Sequence, residues 1–493
     1  MPKRLSILYV CSEAAPLAKT GGLGDVSHAL PCALRARGHD VRIAMPCYAA
    51  IPLESRGEPV AACRADLGDL ALSGGLRRTV MPGTDVPVYL VEHDEFFMRS
   101  HLYGTGNGEY LDNLERFCFF CRALLDGLPR VGWKPDVVHC HDWHTAVLPA
   151  YLATSPSLDP LWQGSATVFT IHNLAYQGRF PRELLPRTGL SPDLFTPDCL
   201  EFYGDVNLMK AGIAFATRIN TVSRRYAAEI QQPESGHGLE GLLRTRASDI
   251  TGILNGVDYD EWSPASDSRL QARFSAHDLS GKARCKRALQ EQMNLPVRDA
   301  PLFGLVSRLV YDKGVDLLLD ALDAILESDI QLVVIGRGDP AIEAALARRV
   351  LPNRGKLRVL LDYSETLAHH VYAGSDFYLM PSRREPCGLS QMYALAYGSV
   401  PIVRKTGGLA DTVHDATPAR IAQGRATGLV FDEPSAEALA AAVARAQRLY
   451  NASEQLHAVR VAGMNQRFSW DKSSAEYVKL YRQAQAAAKG QPR

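Results

Sequence analysis

The chain has 493 residues, enough for about three ordinary domains or two large ones. Its 54 basic side chains are matched by 54 acidic ones, so no global field draws it to nucleic acid or to an anionic membrane. Any anion must be held by a few placed cations, and no run approaches the roughly 20 apolar residues that a membrane span needs.

The opening, Met1 to Val10, imitates a basic signal peptide, but its apolar run is short and meets Glu13. It reads better as a first β-strand, and the cytoplasm follows as the default location. Short β-branched runs then recur at 6–11, 40–44, 86–91, 136–139 and 166–171. A second series lies at 302–306, 331–335, 357–361, 377–380 and 400–403. Helical periodicity fills the gaps, as at 315–328 and 365–374. This alternation predicts βαβ units with parallel sheets. The two series predict two doubly wound domains, 1–262 and 263–468, with a closing helix over 469–493 that carries Trp470, Tyr477 and Tyr481 on one face. In open α/β sheets ligands sit beyond the carboxyl ends of the strands, so motifs just after strands carry the functional weight.

The first is Lys19-Thr20-Gly21-Gly22-Leu23-Gly24-Asp25, which follows the first strand and opens a helix near Asp25. Its glycines let backbone approach a ligand, and a helix start favours an anion. It matches neither a dinucleotide fingerprint nor a P-loop, and a plain Gly-rich turn with a surface Lys remains the alternative. Cys118 and Cys121 form a Cys-x-x-Cys within an apolar helical run, which suits a buried core better than a redox or zinc site. His139-Cys140-His141-Asp142-Trp143-His144 invites a metal-hydrolase reading, but its spacing matches no standard ligand pattern; a strand end with one or two functional residues is the plainer one. Asp258-Tyr259-Asp260 follows Asn255-Gly256 and reads as a turn.

Arg308 and Lys313 follow the strand at 302–306. Two such cations can stabilise a leaving diphosphate without metal, or be ordinary solvated charges. Glu385, held extended by Pro386, follows the strand at 377–380; it can face a cationic sugar centre or simply favour a helix start. Lys405-Thr406-Gly407-Gly408-Leu409 echoes the first Gly-rich loop after the strand at 400–403.

Together these segments resemble the bacterial glycogen and plant starch synthases. The resemblance rests on residues 19–26, His141-Asp142-Trp143-His144, Thr170-Ile171-His172-Asn173-Leu174-Ala175-Tyr176-Gln177-Gly178, Asn255-Gly256-Val257-Asp258, Arg308…Lys313-Gly314, Glu385-Pro386-Cys387-Gly388-Leu389 and residues 406–413, in the family's order. It implies a GT-B fold, two Rossmann-like domains facing a central cleft, with the C-terminal helix crossing back to the first domain. It also implies retaining transfer of glucose from ADP-glucose to an α-1,4-glucan such as glycogen, with no cofactor and no metal. By the same resemblance Lys19, Gly22 and Asp25 belong to the donor side, Asp142 and His172 line the sugar side, and Asn255 lies in the cleft. Arg308 and Lys313 would bind the diphosphate, Tyr363 would stack on the base, and Glu385 would be the principal catalytic carboxylate. Cys387, Gly388 and Leu389 would shape its pocket, with Thr406 and Gly407 alongside. Asp312, Asp362 and Ser390 depart from common family choices, and Asp312 puts a carboxylate beside the expected phosphate site. Two rival readings are a catalytically silent glucan-binding protein and a metal-dependent hydrolase built on His139, His141 and His144.

Overall fold

Aliphatic and β-branched runs buried on both faces, such as Ala166–Ile171 and Gln331–Ile335, build the centres of two parallel sheets. The computed structural model describes residues 3–105, 108–155 and 158–490. In it the chain separates into two units, residues 1–256 with 470–493 and residues 257–469.

The first unit carries a nine-stranded sheet. Its order is Ile250–Gly252, Arg218–Thr221, Ala166–Ile171, Val137–His141, Ser6–Val10, Asp40–Pro46 and Pro87–Glu92, all parallel. An antiparallel hairpin, Leu70–Val80 and Glu58–Leu67, extends the far edge. The second unit has a six-stranded parallel sheet ordered Leu357–Leu360, Gln331–Ile335, Leu302–Val306, Phe377–Met380, Val400–Arg404 and Leu429–Phe431. Both sheets start in the middle, wind to one edge, return and wind to the other. The order therefore reverses between Ser6–Val10 and Val137–His141 in one, and between Leu302–Val306 and Phe377–Met380 in the other. Those reversals are where this architecture binds ligands.

The passage into the second unit falls after Gly256, a few residues earlier than the expected 262. The reason is local: the Val257 N–H donates to Phe468 O at 2.6 Å, the Phe468 N–H donates to the Tyr259 hydroxyl at 3.0 Å, and Tyr259 and Trp262 pack on a core of the second unit. The closing helix, Trp470–Gly490, belongs to the first unit. Tyr477 and Tyr481 are fully buried; the Tyr481 hydroxyl lies 2.9 Å from His139 Nδ1, and Asn220 Nδ2 donates to Tyr477 at 3.2 Å. Burying each large side chain stabilises the unit by roughly 1.5–3 kcal/mol. Cys118 and Cys121 are buried in the helix Asn113–Gly127, and burial pushes the Cys118 thiol up to about 12, so neither is a reactive thiolate. No helix among the described residues is long and apolar enough to cross a membrane.

Candidate functional site

At the reversal in the first sheet the loop after Ser6–Val10 holds Glu13, which is 3% exposed. Its Oε2 accepts from the Thr20 N–H at 2.5 Å and the Thr20 hydroxyl at 2.8 Å, so a buried carboxylate pins the Gly-rich loop. Sequence reasoning missed this role, because a Glu ending an apolar run looks like any strand exit. The helix Gly22–Ala36 starts at Gly22, three residues before the expected Asp25. Lys19 Nζ and Asp25 Oδ1 pair across that start at 2.6 Å, both more than a third exposed.

Across the reversal, Val137–His141 delivers Asp142 with φ 54° and ψ −179°. A non-glycine residue there costs on the order of 1–3 kcal/mol and is held only by its surroundings. Here the Asp142 N–H donates to Thr170 O at 3.0 Å, and the His172 N–H donates to Asp142 Oδ1 at 2.8 Å. Burial, opposed by the backbone N–H groups of His172 and Asn173 and aided by the nearby Glu13 carboxylate, lifts the Asp142 carboxyl to about 7. Burial drives His172 down to about 3, and its Nε2 lies 2.9 Å from His141 Nδ1. Two imidazoles share that contact as neutral donor and acceptor. His139 is occupied by Thr170 at 2.6 Å and by Tyr481, while His144 stacks on Trp143 with ring centroids 4.0 Å apart. The three histidines of the hydrolase reading thus point to separate partners. Asn255 is 5% exposed, and its Oδ1 has no hydrogen-bond partner. Asp258 Oδ1 caps the Asp260 N–H at 2.9 Å, a turn as expected. Beside Trp143, in the first unit, is a cavity of about 340 Å³ lined also by Tyr176, Gln177, Phe180 and His237.

The Asp142 shift has a measurable consequence. The carboxyl titrates near 4 when unfolded and near 7 when folded, so between those values folding takes up a proton. Stability conferred by the protonated form is therefore lost as pH rises from about 4 to about 7. Asp142→Asn should flatten that loss by about 2–4 kcal/mol. Denaturation midpoints of both proteins across this window test it; parallel pH profiles would reject the shift.

At the reversal in the second sheet, Lys313 Nζ lies 2.6 Å from Glu385 Oε2, and the Ser382 hydroxyl donates to the same oxygen at 3.1 Å. Glu385 is 6% exposed. Two glycines make this approach possible. Gly314, φ 66°, would place a Cβ 2.0 Å from Pro381 O, and Gly407, φ 42°, would place one 2.0 Å from Glu385 O. The Gly408 N–H donates to the carbonyls of Glu385 and Pro386, both at 3.1 Å. The second Gly-rich loop is thus a backbone cradle for the Glu385 loop, and Thr406 is buried at the start of the short helix Gly407–Thr412. Cys387 is buried, Gly388 has φ 69°, and Leu389 precedes the helix Ser390–Ala396. Arg404 supports the loop from behind, its Nε donating to Ser382 O at 2.9 Å, a contact no motif announced. Asp312 is turned to Arg384 at 3.4 Å, which answers the charge problem its sequence position raised. Arg308 is exposed in the loop after Leu302–Val306, and Tyr363 is 59% exposed after Leu357–Leu360.

Comparison with known proteins agrees with this fold. The starch synthase catalytic domain family matches residues 6–245, and the glycosyl transferases group 1 family matches residues 287–459. The catalytic domain of starch synthase IV from Arabidopsis thaliana, bound to ADP and acarbose, superposes with a TM-score of 0.89 at 35% identity, covering 98% of this chain and 100% of that one. Sucrose-phosphate synthase from Thermosynechococcus elongatus gives 0.61 at 19% identity over 98% and 100% of the two chains, a likeness of fold alone. Two parallel α/β units that match these family models and the fold of starch synthase IV therefore define a GT-B glycosyltransferase. A glycogen synthase from Geotalea daltonii is 46% identical over 482 residues, 97% of this chain and 98% of its own. The chain belongs to the glycogen and starch synthase family.

Proposed function

We propose that the protein transfers glucose from ADP-glucose to the non-reducing end of an α-1,4-glucan such as glycogen, with retention, releasing ADP. The terminal 4-hydroxyl of the glucan forms the new bond to C1 as the bond from C1 to the diphosphate breaks. The observation that carries this reading is the Lys313–Glu385 pair at the reversal of the second sheet. It puts a carboxylate for a cationic sugar centre beside an ammonium for a departing diphosphate. An ammonium has three donors, and the Glu385 bond uses one. Arg308 adds a forked donor set for the phosphates, and Tyr363 an aromatic face for adenine.

In the first unit Lys19 and Gly22 serve the donor, with Asp25 holding Lys19 in place. Asp142, His172 and Asn255 serve the sugar. Neutral His172 and the raised Asp142 carboxyl can exchange hydrogen bonds with hydroxyls without fixing a charge there. The Trp143–Tyr176 cavity offers aromatic faces and the Gln177 amide to a glucan. We place the reaction in the cytoplasm, where a chain with ten cysteines suits a reducing medium.

The test is incorporation of labelled glucose into glycogen from ADP-glucose or UDP-glucose, with and without EDTA. Transfer from ADP-glucose that survives EDTA is expected. Glycogen binding without incorporation would favour a silent glucan-binding protein. Tyr363→Ala should raise the donor KM several-fold more than it lowers kcat, because stacking is alike in ground and transition states. A large kcat loss at unchanged KM would reject that role.

A further inference from the structure

A second polar cluster in the 257–469 unit is made of residues to which the proposed transfer assigns no role. His369 lies in the helix Glu365–Gly374 and is fully buried. Its Nδ1 is 2.7 Å from Asp267 Oδ2, which also accepts from the Tyr397 hydroxyl at 2.7 Å. A carboxylate only accepts, so Nδ1 carries the proton and the neutral ring turns the Nε2 lone pair outward. That Nε2 has no hydrogen-bond partner. What it faces is Glu261, with Oε1 at 3.8 Å. A lone pair directed at a carboxylate is unfavourable unless a proton or a metal cation comes between them. Glu365, exposed in the first turn of the same helix, completes the group: one ligand atom each from Glu261, Glu365 and His369 lie within 4.8 Å of one another.

We propose that Glu261, Glu365 and His369 Nε2 form a binding site for a zinc-type dication. One imidazole and two carboxylates are a donor set such ions accept, with water in the remaining position. The Asp267 carboxylate behind His369 is the partner that metal-ligating histidines commonly have, fixing tautomer and ring orientation. Trp262 stacks on the ring at 3.9 Å and 9°, and Tyr393 stacks on Trp262 at 3.8 Å, so the ligand cannot swing away. Charge allows it: Glu261, Glu365 and Asp267 bring three carboxylates, and Arg269, which pairs with Asp267 and with the Glu261 Oε1 that faces His369, is the one cation paired with them that an ion would have to displace or share. The ion would tie the chain entering this unit to the start of the helix that follows Tyr363. It shares no residue with the Lys313–Glu385 pair, so EDTA-resistant transfer is compatible with it.

Calorimetric titration of the chelator-stripped full chain with Zn²⁺, without donor or glucan, tests the site independently of the transferase reading. One Zn²⁺ per chain is expected to bind with an affinity that falls at least about tenfold in Glu365→Gln and in Glu261→Gln. Both are partly or fully exposed positions, so these variants keep the fold where His369→Gln puts it at risk. Comparison with the parent removes any background from cysteines. No Zn²⁺ bound by the parent chain, or affinities in Glu365→Gln within tenfold of the parent, would overturn the proposal.

Discussion

Lys313→Ala is expected to lower kcat/KM on the order of 10²–10³, the scale for losing a preorganised charge-stabilising donor. The departing diphosphate gathers negative charge, and Lys313 stands beside the carboxylate that faces the other end of the breaking bond. Its removal acts twice: the diphosphate loses a cation, and buried Glu385 keeps only the Ser382 hydroxyl of its two side-chain donors. Lys313→Arg should not restore full activity. A planar fork reaches differently from a compact ammonium, and the neighbouring Gly314 sits where a Cβ would meet Pro381 O at 2.0 Å, so the backbone carrying residue 313 runs close to the next loop. Steady-state kinetics with and without EDTA decide the matter. Normal turnover in an Arg308→Ala/Lys313→Ala double variant would sink the assignment, as would activity abolished by EDTA and recovered with Mg²⁺.

Glu385→Gln should cut kcat by about 10²–10³ while leaving the fold intact. The amide keeps the shape of the side chain and can still accept from Ser382 and Lys313. It loses the charge that stabilises a developing oxocarbenium ion. Donor KM should move little, since ground-state glucose carries no such charge. Circular dichroism of the variant checks folding, and near-parental turnover would move the catalytic role to another residue.

Much of this was legible in the chain, for an identifiable reason. Strands such as Leu302–Val306 and Ala166–Ile171 are buried on both faces, so they read as continuous apolar runs. The hairpin Glu58–Leu67 and Leu70–Val80 did not announce itself. It is an edge structure with Gly74 and Gly75 in one strand and exposed residues alternating along both. Arg218–Thr221 and Ile250–Gly252 are short and mixed in polarity. At the site, residue types and their places after strands could be read directly. Which of them touch could not: Lys313 and Glu385 are 72 residues apart and meet only because the sheet order sets their strands side by side. Glu13, Ser382 and Arg404 were missed likewise, being recognisable only through the loops they hold.

The closing helix gives the first unit a late last piece. Tyr481 reaches His139 across 342 positions of sequence, and Tyr477 reaches Asn220 across 257. As the ribosome delivers the chain, the first unit must wait, with Tyr9, His139 and Asn220 lacking their cover, until the whole second unit has emerged. Growth from the amino end usually lets the leading domain finish first. Here the leading domain finishes last, so a nascent chain halted before Trp470 would present an open hydrophobic seam to chaperones and proteases, however well its second unit had folded.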